Sequence, residues 1–140
     1  MTDRLAESIK ADREARRLAR TYTLTVEGGR PLTINAVAAM HRQQWATHTR
    51  VTRMTWLVAA RNAKVPRLER AHIEVTPLHA NGRSPQDVGA CAAHSKAAVD
   101  GLVDAGVFPD DNPNHVLSIL FLPPRICGID GMELTIREAP

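Results

Sequence analysis

Carboxylates and one lysine hold most of the chemistry available in the second half of the chain. Asp87 stands just before a segment with helical spacing and Asp110-Asp111 just after it, with Lys96, Asp100 and Asp104 at i, i+4 spacing between them. Carboxylates are the side chains that could serve a cation. The two ends of such a helix lie about 20 Å or more apart at about 1.5 Å per residue, so Asp87 and Asp111 share a site only if the loops fold back. Two plainer readings stand beside this one. Lys96, Asp100 and Asp104 also fit a salt-bridged helix face with pairs of about 0.2–0.5 kcal/mol, the preferred reading for Asp100 and Asp104. Asp110-Asp111 with Asn112-Pro113 also fits a polar turn.

The first half is basic. Residues 1–70 carry 14 Lys/Arg against 6 Asp/Glu and residues 71–140 carry 4 against 9, so the halves are +8 and −5 within a net charge of +3. Arginines for phosphates beside carboxylates for a cation are what a metal-dependent enzyme acting on a polyanion would show, and a sequence pI near 9.3 agrees. A dipolar surface is the bland alternative. From about Asn35 to Lys64 the chain has no Gly or Pro and predicts one long helix. At about 100° per residue, Arg42, Arg50, Arg53 and Arg61 fall within an arc of about 100°, while Met40, Val51, Met54 and Val58 cluster elsewhere. The expectation is a core face of Met and Val and an arginine face whose mutual repulsion phosphates would relieve, an ordinary solvated face being the plainer reading; Arg83 stands in a later loop. Trp45 and Trp56, eleven residues apart, are expected at the core edge or a dimer contact.

These groups need a frame. Tyr22 to Val26 alternates as a strand closed by Gly28-Gly29, Ala71 to Pro77 reads as a second strand, and Ala90 to Ala105 as a second helix ended by Gly106. His115 to Phe121 is a strongly apolar third strand, and Met132 to Ile136 a fourth. The order βαβαββ predicts an α+β fold, one mixed sheet of four strands with two main helices packed on it, preceded by a helical or flexible arm over residues 1–20.

Composition narrows the class. A chain of 140 residues with 44% hydrophobic and 24% charged residues suits one domain with its own core. No apolar run approaches the roughly 18 residues of a membrane span, and Met1-Thr2-Asp3-Arg4 is unlike a signal peptide, so a cytoplasmic soluble protein is expected. Cys91 and Cys127 are too few for a four-cysteine zinc site and are expected to be reduced and structural.

The stretch Lys96-Ala97-Ala98-Val99-Asp100-Gly101-Leu102-Val103-Asp104-Ala105-Gly106-Val107-Phe108-Pro109-Asp110-Asp111 resembles the signature of RusA-type Holliday junction resolvases, a lysine-bearing helix ending in Ala-Gly-Val before a paired-aspartate turn. Asp87-Val88-Gly89-Ala90 occupies the place of the family's Asp-x-Asp-Asn motif, and Pro31-Leu32-Thr33-Ile34-Asn35 is similar to its Pro-Pro-Ser-x-Asn segment. The resemblance covers roughly residues 21–138. It implies a homodimeric, Mg²⁺- or Mn²⁺-dependent endonuclease that cuts four-way DNA junctions in recombination, repair or phage DNA processing. Asp87, Asp110 and Asp111 would hold the metal, Asp87, Lys96 and Asp111 would be catalytic, and Asn35 would join the arginines against DNA.

One departure falls in the motif itself. Gly89 and Ala90 stand where the family has its second aspartate and its asparagine, and neither side chain can bind metal. Glu74, His79 and His94 are the nearest candidates for a replacement ligand. The alternative expectation is a degenerate member of the fold that binds branched DNA or a protein partner without cleaving. A third is a small regulatory protein acting through its basic N-terminal arm.

Overall fold

The computed structural model describes residues 2–18 and 20–140. The described elements are α1 (Thr2–Leu18), β1 (Thr21–Glu27), α2 (Ile34–Ala38), α3 (Arg42–Asn62), β2 (Ala71–His79), α4 (Ala92–Asp104), β3 (Val116–Phe121), β4 (Arg125–Ile126) and β5 (Gly131–Glu138). The fold is α+β, with an N-terminal helix and one mixed sheet carrying two main helices. Its main strand order is β1-β5-β2-β3, and β4 pairs with the end of β2, so the sheet has five strands where four were expected. The fifth is a two-residue piece alongside Leu78 and His79, too short to show in a hydrophobic pattern.

Alternation decides which side of the sheet is covered. Leu24 pairs with Leu134 and Tyr22 with Ile136, and Ile73 and Val75 continue the same rows through β2. These side chains meet Trp56 and Ala60 of α3 and Val99 and Leu102 of α4 in one core. The opposite face is polar: Thr25 bonds Glu133, Arg125 and Arg137 pair with Glu133 and Glu74, and His72 bonds Ser118. The apolar run in β3 is only partly covered. Val116 is buried, whereas Leu117, Ile119 and Leu120 remain exposed at the sheet edge.

The helical region after β1 departs from the sequence expectation in two ways. Instead of one helix over 35–64 there are two, with the chain restarting at His41, whose backbone N–H donates to Gln44 Oε1 at 2.9 Å. A side chain thus takes the amide that a continuous helix would use, so no Gly or Pro is needed to break it. The core face of α3 is also different. Thr52, Trp56 and Ala60 are buried, while Val51, Met54 and Val58 are 57%, 59% and 45% exposed. Met40 lies between α2 and α3, half-buried. A helix packs where it can approach most closely, and one tryptophan flanked by small residues outweighs a stripe of three medium apolar ones.

The partner surface makes that approach possible. A Cβ built on Gly101 of α4 would lie 2.5 Å from the Arg53 carbonyl oxygen and 2.9 Å from Trp56 Cβ. Further on, Gly106 (φ +85°) turns the chain out of α4, with the Val107 N–H bonded to the Leu102 carbonyl at 3.0 Å, as the sequence predicts for a glycine stop. Among the described residues no helix is long and apolar enough to cross a membrane. The described side chains of α1 from Asp3 to Glu14 are exposed.

Gly101→Ala tests the contact, because alanine favours an isolated helix by about 1 kcal/mol while the backbone clash opposes it. The expected outcome is a net destabilisation of about 1–3 kcal/mol in urea unfolding. A stabilised variant would show that the two helices do not meet this closely.

Candidate functional site

Lys96 collects the acids. Its Nζ donates to Asp100 Oδ1 at 2.8 Å, one helical turn away, and to Asp111 Oδ2, fifteen residues along the chain. The turn behind Gly106 achieves this: Val107 and Phe108 are buried as anchors, and the chain then folds back so that Asp111 reaches the middle of α4. Asp110 shapes the turn. Its Oδ1 accepts the Asp111 N–H at 2.7 Å and its Oδ2 accepts from Asn112 Nδ2 at 3.3 Å. Electrostatics follow the contacts. The hydrogen bond from Lys96 holds Asp111 below the usual carboxylate range. Partial burial alone would lower the Lys96 ammonium, but its bonds to Asp100 and Asp111 outweigh that and raise it.

The other expected site residues are placed differently. Asp87 is exposed in the loop before α4, and its side chain makes no hydrogen bond or ion pair with the described residues. No three His, Cys, Asp or Glu side chains among the described residues are grouped closely enough to hold a metal, so Asp87, Asp110 and Asp111 do not come together as a three-ligand cluster. Asp100, set aside in the sequence as a helix-face partner, is that and also lies with Asp111 on Lys96. Its i, i+4 spacing from the lysine was the available signal.

None of the three replacement candidates joins the aspartates. Glu74 accepts from Arg137 at 3.3 Å on the polar face of the sheet. His79 is 0% exposed at the end of β2, and neither ring nitrogen has a partner among the described residues. His94 faces α3, its Nδ1 3.0 Å from His48 Nε2. Burial, then the nearby His48 ring, pushes the His94 imidazole down to about 4, and burial lowers His48 as well.

Of the arginine stripe, Arg53 is committed: its guanidinium makes two 2.8 Å bonds to Asp104, which is held below the usual carboxylate range by that pairing. Arg42, Arg50 and Arg61 are exposed and make no side-chain hydrogen bond or ion pair with the described residues. Arg83 is exposed in the loop after β2, where its carbonyl accepts from Arg30. Asn35 is exposed in α2. Arg30, which the sequence does not single out, donates to the carbonyls of Asn81, Arg83 and Ser84 and approaches Asp130 at 3.4 Å, fixing that loop to the sheet. Its partners are mostly backbone oxygens, which residue types cannot reveal.

No family model matches the chain, and no curated protein matches it.

The partly buried His94 imidazole makes stability depend on pH. Unfolded His94 takes up a proton near pH 6.5, but folded His94 does so only near 4, so its stabilising contribution is complete above about 6.5 and falls as pH drops towards 4. Urea unfolding at several pH values between 7.5 and 4 is expected to show stability falling with acid, by at most about 1.4 kcal/mol per pH unit from this group. In His94→Leu the fall over pH 6.5 to 4 becomes shallower; an unchanged slope would remove His94 as its source.

Proposed function

We propose that this chain is a RusA-like endonuclease that binds branched DNA and hydrolyses a phosphodiester with Mg²⁺ or Mn²⁺. The observation that carries the reading is the convergence of Asp100 and Asp111 on the Lys96 ammonium at an exposed surface, with residues distant in sequence brought to one cation. Two carboxylates that can share one cationic centre are an adequate donor set for Mg²⁺, which is commonly held by one or two carboxylates, waters and substrate phosphates. Asp100 and Asp111 would hold the ion. Bound there, it would supply a Lewis acid for the phosphate and an activated water.

The chain's own groups have separate tasks. Lys96 faces the scissile phosphate and offsets charge developing on its oxygens. Asp110 keeps Asp111 oriented through the backbone N–H. Arg42, Arg50 and Arg61, free of carboxylate partners among the described residues, are available to the DNA backbone, which gives affinity without base readout. Symmetric cutting of a four-way junction requires two such sites and therefore two copies of the chain.

A second reading, binding without cleavage, is favoured by one observation: the described residues hold no group of three metal-ligating side chains. One experiment separates the two. A labelled four-way junction, with linear duplex as control, is incubated in Mg²⁺ and in Mn²⁺, beside a gel shift in EDTA. The nuclease reading expects paired nicks near the junction that fall at least about 100-fold in Asp111→Asn and in Asp100→Asn, on the scale of other electrostatic catalytic groups. A loss as large in Asp87→Asn would mean that the loop before α4 closes on the pair when DNA is bound. Tight, salt-sensitive binding without nicks in either metal would establish the second reading. In both cases Arg50→Gln and Arg61→Gln should each lower the salt slope of binding by about one phosphate contact.

A further inference from the structure

Away from the Lys96 cluster, two imidazoles reach one point from two helices. His48 Nε2 of α3 and His94 Nδ1 of α4 are 3.0 Å apart, and Thr52 Oγ1, one turn along α3, lies 3.3 Å from the same His48 nitrogen. The rings are held in place. Trp45 stacks on His48 with centroids 5.7 Å apart, and the two histidine rings meet at 5.1 Å with a 45° tilt. Both imidazoles line a cavity of about 330 Å³ between α3 and the end of β1, whose wall also includes Thr52, Glu27 and Gly28.

That geometry is close to a chelate. Zinc–imidazole bonds are about 2.0–2.1 Å, and two of them from nitrogens 3.0 Å apart enclose an angle of about 94°. Opening the nitrogens by about 0.3 Å gives the tetrahedral angle, a movement within reach of small side-chain rotations. The tautomers permit it: with each proton on the outer nitrogen, His48 Nε2 and His94 Nδ1 both present lone pairs to one centre. Imidazole donors favour a borderline ion over Mg²⁺, so the pair differs in kind from the carboxylates on Lys96. The cavity leaves room for water or an exchangeable ligand at the remaining positions.

We propose that His48 and His94 form a two-histidine site for a divalent transition ion of the zinc class, linking α3 to α4 with its open positions towards the cavity. The site does not rest on the nuclease reading. A bound ion would replace the hydrogen bond between the rings with a stronger link between the same two helices.

The test uses the full chain, freed of metal by chelation, titrated with ZnCl₂ and followed by calorimetry and by imidazole ¹⁵N NMR. The expected result is one ion per chain with micromolar affinity, large shifts of His48 Nε2 and His94 Nδ1, and a raised Tm. His48→Gln and His94→Gln should each weaken binding at least tenfold, whereas His72→Gln, on the polar face of the sheet, should leave it unchanged. Absence of binding, or shifts confined to other histidines, overturns the site. The wild-type spectra decide this even if a variant fails to fold. Equal affinity in the wild type and both folded variants overturns it as well.

Discussion

The contact between α3 and α4 at Gly101 is the constraint on which the other features depend. A helix backbone pressed against the Arg53 carbonyl fixes the distance between the two helices, and Trp56 then has one place to go, into the core beneath them. Each polar pair across the crossing inherits that spacing. His48 meets His94 towards one end, and Arg53 meets Asp104 towards the other. Lys96 stands on the exposed side of α4, where the returning Asp110-Asp111 turn can reach it. One close helix contact therefore sets the geometry of the His48–His94 and Arg53–Asp104 pairs, while the turn behind Gly106 sets that of the Lys96 cluster.

The charge asymmetry of the chain has a structural use as well. Arg20 forms a two-pronged bond with Glu138, Arg30 reaches Asp130, and Arg53 holds Asp104. Each pair joins the basic half to the acidic half. Exposed pairs of this kind add little stability individually, at about 0–1 kcal/mol, but they favour the pairing of distant segments over wrong alternatives. On α3 itself Arg42, Arg50 and Arg61 keep no such partner among the described residues, so net charge by half overstates the field that this face opens to a polyanion.

Patterns that depend on neighbours in sequence were legible, and those that depend on neighbours in space were not. Alternation located β1, β2 and β5, a continuous apolar run located β3, and Gly106 marked the end of α4, because each is a local consequence of residue type. The buried side of α3 was misread because hydrophobicity counts favour Val51, Met54 and Val58. The contact was decided by the missing side chain at Gly101, more than forty residues away in the chain. The same limit hid the His48–His94 pair and the role of Arg30, whose partners lie on other elements. Lys96 and Asp111 were assigned to one site only through the family resemblance, while spacing alone favoured a plain polar turn at Asp110-Asp111; the contact between them lies across fifteen residues and was not legible.

The position of β5 has a consequence for how the chain can come together. β5 lies between β1 and β2, yet it leaves the ribosome after both. Until it arrives, β1 has no strand beside it, and the rows begun by Leu24, Ile73 and Val75 lack the residues that join them. Non-local pairings of this kind close slowly, because a long loop must be ordered before any contact compensates for it. A nascent chain stopped before Gly131 is therefore not a smaller version of the fold. It carries two open strand edges flanked by apolar surface, the form of the molecule most inclined to associate with other copies of itself.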